Sequence, residues 1–301
     1  MAVEAETGLA EEGDSLKGFL LALSAYLLWG ILPLYLSLFD SVGLVEVLAH
    51  RVIWSVPVAL VILLVLGRTG DLRRALVSPR LLAMAGLTAL LVTVNWGVYL
   101  YAIQTDQVLD AALGYYINPL FSVFLAAVFL RERLSLWQGL AVALAVAAVV
   151  VLTVEAGRLP LISLALTGSW GLYAFFKRAL PIGPNQGFTL EVILLSPVAL
   201  AYLAWLWTQG SMSFGYAGAG LTALLMGAGV ITAVPLMLYA NGAKRLTLST
   251  MALMQYIVPT LVFLAAVWVF GETFDGAKLV AFPMIWAALV VYTIDTLRRR
   301  R

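Results

Sequence analysis

The chain has 301 residues, of which 63% are hydrophobic and 11% charged, and its formal net charge is +2. Because globular proteins carry about 25% charged residues, this composition excludes an ordinary soluble domain. The small net charge gives no reason to expect nucleic-acid binding, and the absence of cysteine excludes disulfides, iron–sulfur clusters and thiol catalysis. One histidine and scattered carboxylates do not supply the usual ligands of a zinc site, so we expect neither a metal nor a cofactor.

Apolar segments of about 20 residues, long enough to cross a hydrocarbon core of about 30 Å, follow one another along the chain. They predict an all-α polytopic membrane protein with ten transmembrane helices. The acidic residues 1–16 lack the basic start of a signal peptide, so we expect a disordered cytoplasmic tail there and a basic one at 298–301. The predicted spans are 17–38, 44–66, 80–103, 109–130, 135–154, 159–179, 187–207, 217–240, 248–270 and 277–296.

The basic residues outside the spans are distributed unevenly between the two sides of this topology. If the N-terminus is cytoplasmic, the outer connections hold only Arg158 and Lys278, while every cytoplasmic connection carries lysine or arginine. Cytoplasmic loops of membrane proteins carry an excess of lysine and arginine. The charges therefore predict that both the N-terminus and the C-terminus lie in the cytoplasm.

An internal repeat relates the two halves of the chain. The stretch LGYYINPLFSVFLAAVFLRER (113–133) aligns with LMQYIVPTLVFLAAVWVFGET (253–273) at a shift of 140 residues, and PVAL at 57–60 recurs at 197–200. These matches divide the chain into residues 17–156 and 157–297, with five spans each. Because five is odd, the second half must enter the membrane from the opposite side. Inverted repeats are typical of secondary transporters, whose substrate site lies near the midplane between the halves.

Five stretches, in order, carry a resemblance to a known family. They are SAYLLWGILPLY (24–35), AHRVIWS (49–55), ALGYYINPL (112–120), LPLISLALTGSWGLYAFFKR (159–178) and TLSTMALMQYIVPTLVFL (247–264). This set resembles the RarD-type members of the EamA branch of the drug/metabolite transporter (DMT) superfamily, often labelled chloramphenicol-sensitivity proteins. The resemblance implies two inverted five-helix EamA repeats in the bacterial cytoplasmic (inner) membrane. It also implies that helices 1–4 and 6–9 surround a central cavity, with helices 5 and 10 outside.

The second span contains the polar stretch EVLAHRVIWS (46–55), which cannot face lipid because ionisable groups are costly in the bilayer. Arg51 is predicted either to bind substrate or to tether neighbouring helices, and the sequence leaves both open. His50 is the cheapest candidate for proton coupling, because the unperturbed pKa of histidine lies near physiological pH. We expect Glu46, within a turn of the outer boundary, to be interfacial and solvated.

Glu191 in the seventh span is the counterpart of Arg51 at the 140-residue shift and is the second coupling candidate. A pair between the two would offset part of the cost of burying both charges. However, at 1.5 Å per residue the inversion separates their backbones by roughly 10 Å in depth. The sequence leaves direct pairing open.

Aromatic and amide residues complete the predicted lining of the cavity. Pro119 and its counterpart Pro259 are candidate hinges or fixed kinks, because proline weakens the local helix. Ser122 shares a helical stripe with two of the candidates, and Trp29 also belongs to the aromatic set. The candidate substrate-binding residues are His50, Arg51, Trp54, Asn95, Trp96, Tyr99, Tyr115, Asn118, Trp170, Tyr173, Glu191, Gln255 and Tyr256.

An aromatic, amide-rich and lightly charged lining suits a small amphipathic or zwitterionic solute. The sequence therefore predicts a secondary transporter, with export implied by the resemblance, and no phosphate-binding GxxxxGK[ST] loop is present. An amino-acid or amine importer or exchanger is the alternative within the same fold, and a non-transporting membrane sensor or scaffold is the alternative outside it. The expected partners are lipid and a small-molecule substrate. Small residues in the fifth span permit close helix packing, so a homodimer stays open.

Overall fold

The computed structural model describes residues 15–67, 69–129, 134–243, 245–246, 250–251 and 254–298, and within them every regular element is helical. Most of the predicted N-terminal tail and residues 299–301 of the basic tail lie outside the described residues. The helices are α1 (Leu16–Gly30), α2 (Leu32–Leu36), α3 (Leu44–Val65), α4 (Gly70–Leu76), α5 (Pro79–Gln104), α6 (Val108–Phe129), α7 (Leu136–Ala156), α8 (Leu161–Ala179), α9 (Pro184–Thr208), α10 (Ala219–Ala243), α11 (Ile257–Trp268) and α12 (Lys278–Arg298).

Seven of the described helices are long and apolar enough to cross a bilayer, and the bent pair of α1 and α2 makes up to eight. Two predicted spans do not meet these criteria of length and hydropathy. The helix α8 covers the span predicted at 159–179, but its hydroxyl and basic residues lower its hydropathy. The helix α11 has only 12 residues, and the region before it contains residues that lie outside the description. The all-helical membrane fold is thus confirmed, while the count of ten spans and the inverted repeat stay predictions.

The first predicted span is broken into α1 and α2, whose axes differ by 44°. The break falls at Ile31, and Pro33 lies in the first turn of α2. Proline is tolerated in a first turn because its missing N–H would have no helical partner there. A 3₁₀ turn over Ser37–Phe39 then leads into the connection before α3.

The connections lie at two ends of the helix bundle. The Glu46 end holds the connections before α3, α6, α8, α10 and α12, and the Lys177 end holds those before α4, α5 and α9. At the Glu46 end, Gln104 Nε2 at the close of α5 donates to the carbonyls of Phe39 and Val42, each at 3.1 Å. At the Lys177 end, the Ser15 amide before α1 donates to the Arg245 carbonyl after α10 at 3.2 Å.

The small-residue face of α7 packs inside the molecule against α12. Ala141, Ala145 and Ala148 are buried in the same apolar cluster as Ala281 and Ala288 of α12. Small residues allow two helix backbones to approach closely. Part of the small-residue surface of α7 is therefore used within the chain, and a homodimer stays a prediction.

The helix α10 lies between α1 and α3 and approaches both closely at glycines. A Cβ at Gly229 would stand 2.1 Å from the carbonyl carbon of Trp54 in α3, and one at Gly242 would stand 2.9 Å from the Ala22 amide nitrogen in α1. No side chain larger than hydrogen fits either contact unless the backbones move apart. The two glycines therefore set how closely α1 and α3 flank the central face of α10.

Candidate functional site

A partly open cavity lies between α1, α2, α3, α5, α6, α8, α10 and the start of α11, and its empty space is about 930 Å³ when the solvent at its mouth is counted. Its walls are mostly apolar and aromatic, with a few polar groups, which is typical of small-molecule sites. Eight of the predicted site residues line it: Arg51, Asn95, Trp96, Tyr99, Tyr115, Asn118, Trp170 and Gln255. The candidate hinge Pro259 also lines it, and Trp29 does as well.

Arg51 is the cationic group of this cavity and is only 2% exposed. Its Nε donates a hydrogen bond of 3.1 Å to Thr232 Oγ1 on α10. Its guanidinium carbon lies 4.8 Å from the ring centroid of Trp96, a cation–π contact. Its Nη1 is buried and has no hydrogen-bond partner within the described residues. The side chain is thus held at one edge and keeps a donor free.

An amide and phenol network surrounds Arg51. The Asn95 amide nitrogen donates to the Leu166 carbonyl at 3.2 Å and to Ser169 Oγ at 3.1 Å, while the Tyr115 hydroxyl donates to Asn95 Oδ1 at 3.1 Å. These bonds join α5, α6 and α8. By contrast, both amide atoms of buried Asn118 lack a hydrogen-bond partner in the part of the chain that the structure describes. Asn118 therefore adds a donor and an acceptor to the free groups of the cavity.

Five predicted site residues do not line the cavity: His50, Trp54, Tyr173, Glu191 and Tyr256. His50 stacks on Phe214 of the connection before α10, with ring centroids 4.7 Å apart, and Trp54 lies 6.0 Å from the same ring. Both histidine nitrogens and the Trp54 indole nitrogen are buried without a partner among the described residues. These two side chains pack at the Glu46 end.

Glu191 belongs to a separate buried network towards the Lys177 end. Its Oε1 accepts from Lys177 Nζ at 2.5 Å and from the Thr88 hydroxyl at 2.6 Å, and its Oε2 accepts from the Tyr173 hydroxyl at 3.3 Å. The carboxylate is thus occupied by groups from α8 and α5. Arg51 does not pair with Glu191 in this structure, which answers the question that the sequence left open.

The expectation of a solvated Glu46 is wrong, because this side chain is 2% exposed. Its Oε1 accepts from the amides of Ser213 at 2.7 Å and Phe214 at 3.1 Å, and its Oε2 accepts from the Ser213 hydroxyl at 3.0 Å. These donors belong to the connection before α10, which folds over the start of α3. The carboxylate replaces its water shell with three protein donors.

The two prolines differ in position. Pro119 lies inside α6, where it leaves the carbonyl one turn earlier without its helical partner, and it does not line the cavity. Pro259 lies in the first turn of α11, where proline is tolerated. The structure thus places Pro119 as a mid-helix kink candidate and Pro259 as a wall of the cavity near a helix start.

Sequence reasoning missed three polar lining residues: Tyr26 on α1, and Thr232 and Tyr239 on α10. A signal for each was present. Tyr26 precedes Trp29 by three positions, so both side chains share one helix face. Thr232 and Tyr239 are seven positions apart, close to two full turns, and therefore also share a face.

Known proteins resemble this chain along almost its whole length. The EamA-like transporter family profile matches residues 16–154. An "uncharacterized transporter" of Vibrio cholerae serotype O1 is 41% identical over 96% of this chain and 95% of its own length. Proteins named RarD from Streptomyces exfoliatus and Escherichia coli (strain K12) are 39% and 37% identical, over 96% and 95% of this chain and 92% and 96% of theirs. The chain is a RarD-type member of the EamA-like transporter family.

A crystal structure of another protein superposes on this RarD-type chain with a TM-score of 0.61 at 21% identity, covering 94% of this chain and 99% of that protein. This likeness concerns the fold alone. The family resemblance implied that the fifth and tenth helices lie outside the cavity, and α7 and α12 contribute no lining residue. The helix α9, which corresponds to the seventh predicted span, contributes none either, because Glu191 is turned into its own network.

Proposed function

We propose that this RarD-type chain is a secondary transporter of the bacterial cytoplasmic (inner) membrane that exports a small zwitterionic or amphipathic solute. The observation that carries the proposal is the free Nη1 of Arg51, buried at the wall of the central cavity. A cationic donor without a partner in a membrane interior is costly, and such residues usually mark a substrate path. A bound anionic group would supply the missing acceptor.

The chemistry around Arg51 favours a carboxylate of a small molecule. A guanidinium presents a planar fork that binds a carboxylate through two hydrogen bonds, and Nε is already held by Thr232. Trp96 covers one face of the guanidinium, which leaves the edge for the ligand. Because Arg51 is the only lysine or arginine among the described lining residues, a polyanion would lack the further cations that it needs.

Alternating access between two inverted halves is the mechanism we infer, with both termini cytoplasmic and the Glu46 end facing outwards. The helix contacts support a two-fold relationship between the halves. The helix α1 packs on α10 and α11, and its counterpart at the 140-residue shift, α8, packs on α5 and α6, which are the counterparts of α10 and α11. A bundle with matched contacts can exchange two equivalent arrangements around a fixed midplane site.

Proton coupling would use His50 or Glu191. Glu191 is neutralised by Lys177, whereas both nitrogens of His50 lack a partner among the described residues. His50 is therefore the better candidate of the two. If His50→Ala keeps the pH dependence of flux in proteoliposomes, His50 has no such role, and Glu191→Gln tests the other residue in the same assay.

The proposal is tested with purified protein in proteoliposomes loaded with labelled amino acids, amines or chloramphenicol. We expect Arg51→Met to reduce flux of a carboxylate solute between about 10-fold and 100-fold, because a hydrogen bond to a charged group contributes about 1.5–3 kcal/mol. Arg51→Lys keeps the charge without the planar fork and should recover part of the flux. The control is Arg74→Met, because the Arg74 side chain is 82% exposed and lies on α4.

The same assay separates the alternatives. Flux that depends on an inward gradient of the solute would indicate import instead of export. Flux that depends on a second solute on the opposite side would indicate exchange. Absence of flux for every solute, together with specific binding of a membrane partner, would support a sensor or scaffold and overturn the transporter. A homodimer is tested separately by the mass of the protein in nanodiscs.

A further inference from the structure

Three aromatic side chains form a cluster on the wall of the central cavity. The ring centroids are 6.0 Å apart for Tyr26 and Trp29, 5.9 Å for Tyr26 and Tyr239, and 5.5 Å for Trp29 and Tyr239. All three residues line the cavity. We call them the aromatic trio. Tyr26 and Trp29 come from α1 and Tyr239 from α10, and the close approach of these helices at Gly242 brings the rings together.

The ring faces of the aromatic trio have no protein cation over them in the described part of the chain. The cation–ring contacts there are those of Arg51 with Trp96 and of Lys177 with Tyr173, and neither ring belongs to the trio. An aromatic face attracts a cation through its quadrupole, most strongly where water is excluded. The trio therefore offers an unoccupied site for a positively charged group.

The aromatic trio lies two helical turns from the group that holds Arg51. Thr232, which accepts from Arg51 Nε, and Tyr239 are seven positions apart on α10, so they share one face about 10 Å apart. A carboxylate bonded to the guanidinium and a cation resting on a ring each take up part of this distance. The distance that remains between the carboxylate and the cation is the length of a few carbon atoms. This is the separation of the two charges in a small amino acid or its N-methylated form.

We propose that the aromatic trio binds the methylated ammonium group of a small zwitterion whose carboxylate binds Arg51. This inference rests on the proposed function, because it names the class of solute that occupies the same cavity. The solute is of the betaine type, with a quaternary or tertiary ammonium close to a carboxylate.

The lining explains why the ammonium should be methylated. No aspartate or glutamate lies among the described lining residues, so an ammonium would meet only uncharged acceptors there, such as the amide oxygens of Asn118 and Gln255. A primary ammonium has three donors, and burying them without enough acceptors or a counter-charge is unfavourable. A quaternary ammonium has no donor to satisfy and is recognised by aromatic faces alone.

The lining also explains why the solute should carry its own carboxylate. Arg51 places a positive charge in the same cavity. A free quaternary cation without a carboxylate would be repelled by it, and the free Nη1 would stay without an acceptor. The pair of sites therefore favours trimethylglycine over choline, although the two carry the same ammonium group.

The test is equilibrium binding of labelled trimethylglycine to the full chain in nanodiscs, with competition by glycine, N,N-dimethylglycine and choline. In the wild type we expect affinity to rise with each added methyl group, and choline to compete poorly. Competition by glycine, N,N-dimethylglycine and choline that equals that of unlabelled trimethylglycine, or better competition by choline than by unlabelled trimethylglycine, would overturn the proposal, and neither result depends on a variant.

Two variants at one position test the trio directly. Tyr239→Leu should weaken trimethylglycine binding about tenfold, within the range of a desolvated cation–π contact, and should weaken glycine binding less. Tyr239→Phe keeps the ring and should bind trimethylglycine as the wild type does. Tyr239 is 36% exposed, so the leucine variant is expected to fold. Unchanged trimethylglycine binding in Tyr239→Leu would exclude the trio as the site.

The outcome also separates this inference from the transport proposal. Trimethylglycine binding that follows the methyl series without flux in proteoliposomes would support the site and contradict the transporter. Flux of other solutes that trimethylglycine does not inhibit would support the transporter and contradict this choice of solute. If Arg51→Met loses both trimethylglycine binding and flux, the binding site and the transport site are the same.

Discussion

Lys177 Nζ on α8 lies 2.5 Å from Glu191 Oε1 on α9, and this pair is almost fully enclosed, with side-chain exposures of 16% and 1%. The pairing separates Glu191 from the cavity that Arg51 lines. The two charges that occupy equivalent positions in the predicted repeat thus have different environments. Arg51 keeps a free donor, whereas Glu191 has three side-chain donors around it.

Breaking the Lys177–Glu191 pair should destabilise the fold strongly. Glu191→Gln leaves the buried ammonium without its counter-ion, and removal of one partner of a buried pair costs about 3–5 kcal/mol. The double variant Lys177→Met, Glu191→Leu removes both charges and should recover most of that loss. The measurement is the unfolding midpoint in detergent.

The exposed pair of Arg74 and Asp71 is the matched control for this experiment. These side chains are 82% and 47% exposed at a distance of 2.7 Å, and surface pairs contribute about 0–1 kcal/mol. Asp71→Asn should therefore leave the midpoint nearly unchanged. If Glu191→Gln behaves like Asp71→Asn, the buried pair does not stabilise the fold.

Arg51→Met should reduce transport of a carboxylate solute while keeping the stability of the fold. Thr232 Oγ1 still donates to the Ala228 carbonyl at 2.7 Å when Arg51 is absent, so no buried hydroxyl is left without a partner. An apolar side chain of similar length also removes the cost of burying a guanidinium whose Nη1 has no partner among the described residues. An unfolding midpoint far below that of the wild type would show instead that Arg51 is mainly a tether between α3 and α10.

The sequence predicted those residues of the cavity that are energetically costly to expose to lipid. Arg51, Asn95 and Asn118 interrupt apolar runs, and a bilayer excludes such groups unless they face the protein interior. Their positions on helices followed from periodicity alone. The all-helical membrane fold and the RarD-type family were likewise within reach, because both depend on the order of long apolar segments and motifs.

Partners remote in the chain could not be predicted in the same way. Glu46 accepts from amides 167 and 168 positions away, so its burial depends on how the connection before α10 folds back. Lys177 lies near the end of the predicted span 159–179, and its flexible stem reaches inwards to Glu191. The repeat placed Arg51 opposite Glu191, and only the structure showed that Lys177 of α8 reaches this carboxylate instead.

Glu46→Ala should open the connection before α10. The variant removes three hydrogen bonds from Ser213 and Phe214 to the carboxylate. A hydrogen bond to a charged group contributes about 1.5–3 kcal/mol to stability. Because the chain contains no cysteine, Phe214→Cys gives a single thiol whose maleimide labelling reports exposure. Labelling should be faster in the Glu46→Ala background. Equal rates in both backgrounds would mean that the carboxylate does not hold this connection.

Glu272 should give the protein a pH-dependent stability. It accepts from the Leu109 amide at 3.0 Å and from the Val108 amide, but burial outweighs these bonds and raises the pKa of its carboxyl above the ordinary value. The folded state then holds the proton more tightly than the unfolded chain does. Its contribution is therefore greatest below about pH 4.3 and is lost as the pH rises through the raised pKa.

The measurement for Glu272 is the unfolding midpoint of the wild type and of Glu272→Gln between about pH 4 and pH 7, a range that spans the ordinary glutamate pKa. The wild type should lose stability relative to the variant as the pH rises. A difference that grows in favour of the wild type would show that the two amide hydrogen bonds outweigh burial.

Gly229→Ala should separate α10 from α3 and weaken the hold on Arg51. The added Cβ would stand 2.1 Å from the Trp54 carbonyl carbon, which is backbone and cannot rotate away. Overpacking of this kind costs about 1–3 kcal/mol. Gly220→Ala in the same helix is the control, because nothing lies within 4 Å of its Cβ position. Alanine there should be neutral or stabilise by about 0.4–1 kcal/mol.

If both variants unfold at the same midpoint, the close approach of α10 to α3 at Gly229 is not needed for stability. If Gly229→Ala folds but binds carboxylate solutes more weakly, the approach serves chiefly to bring Thr232 within reach of Arg51.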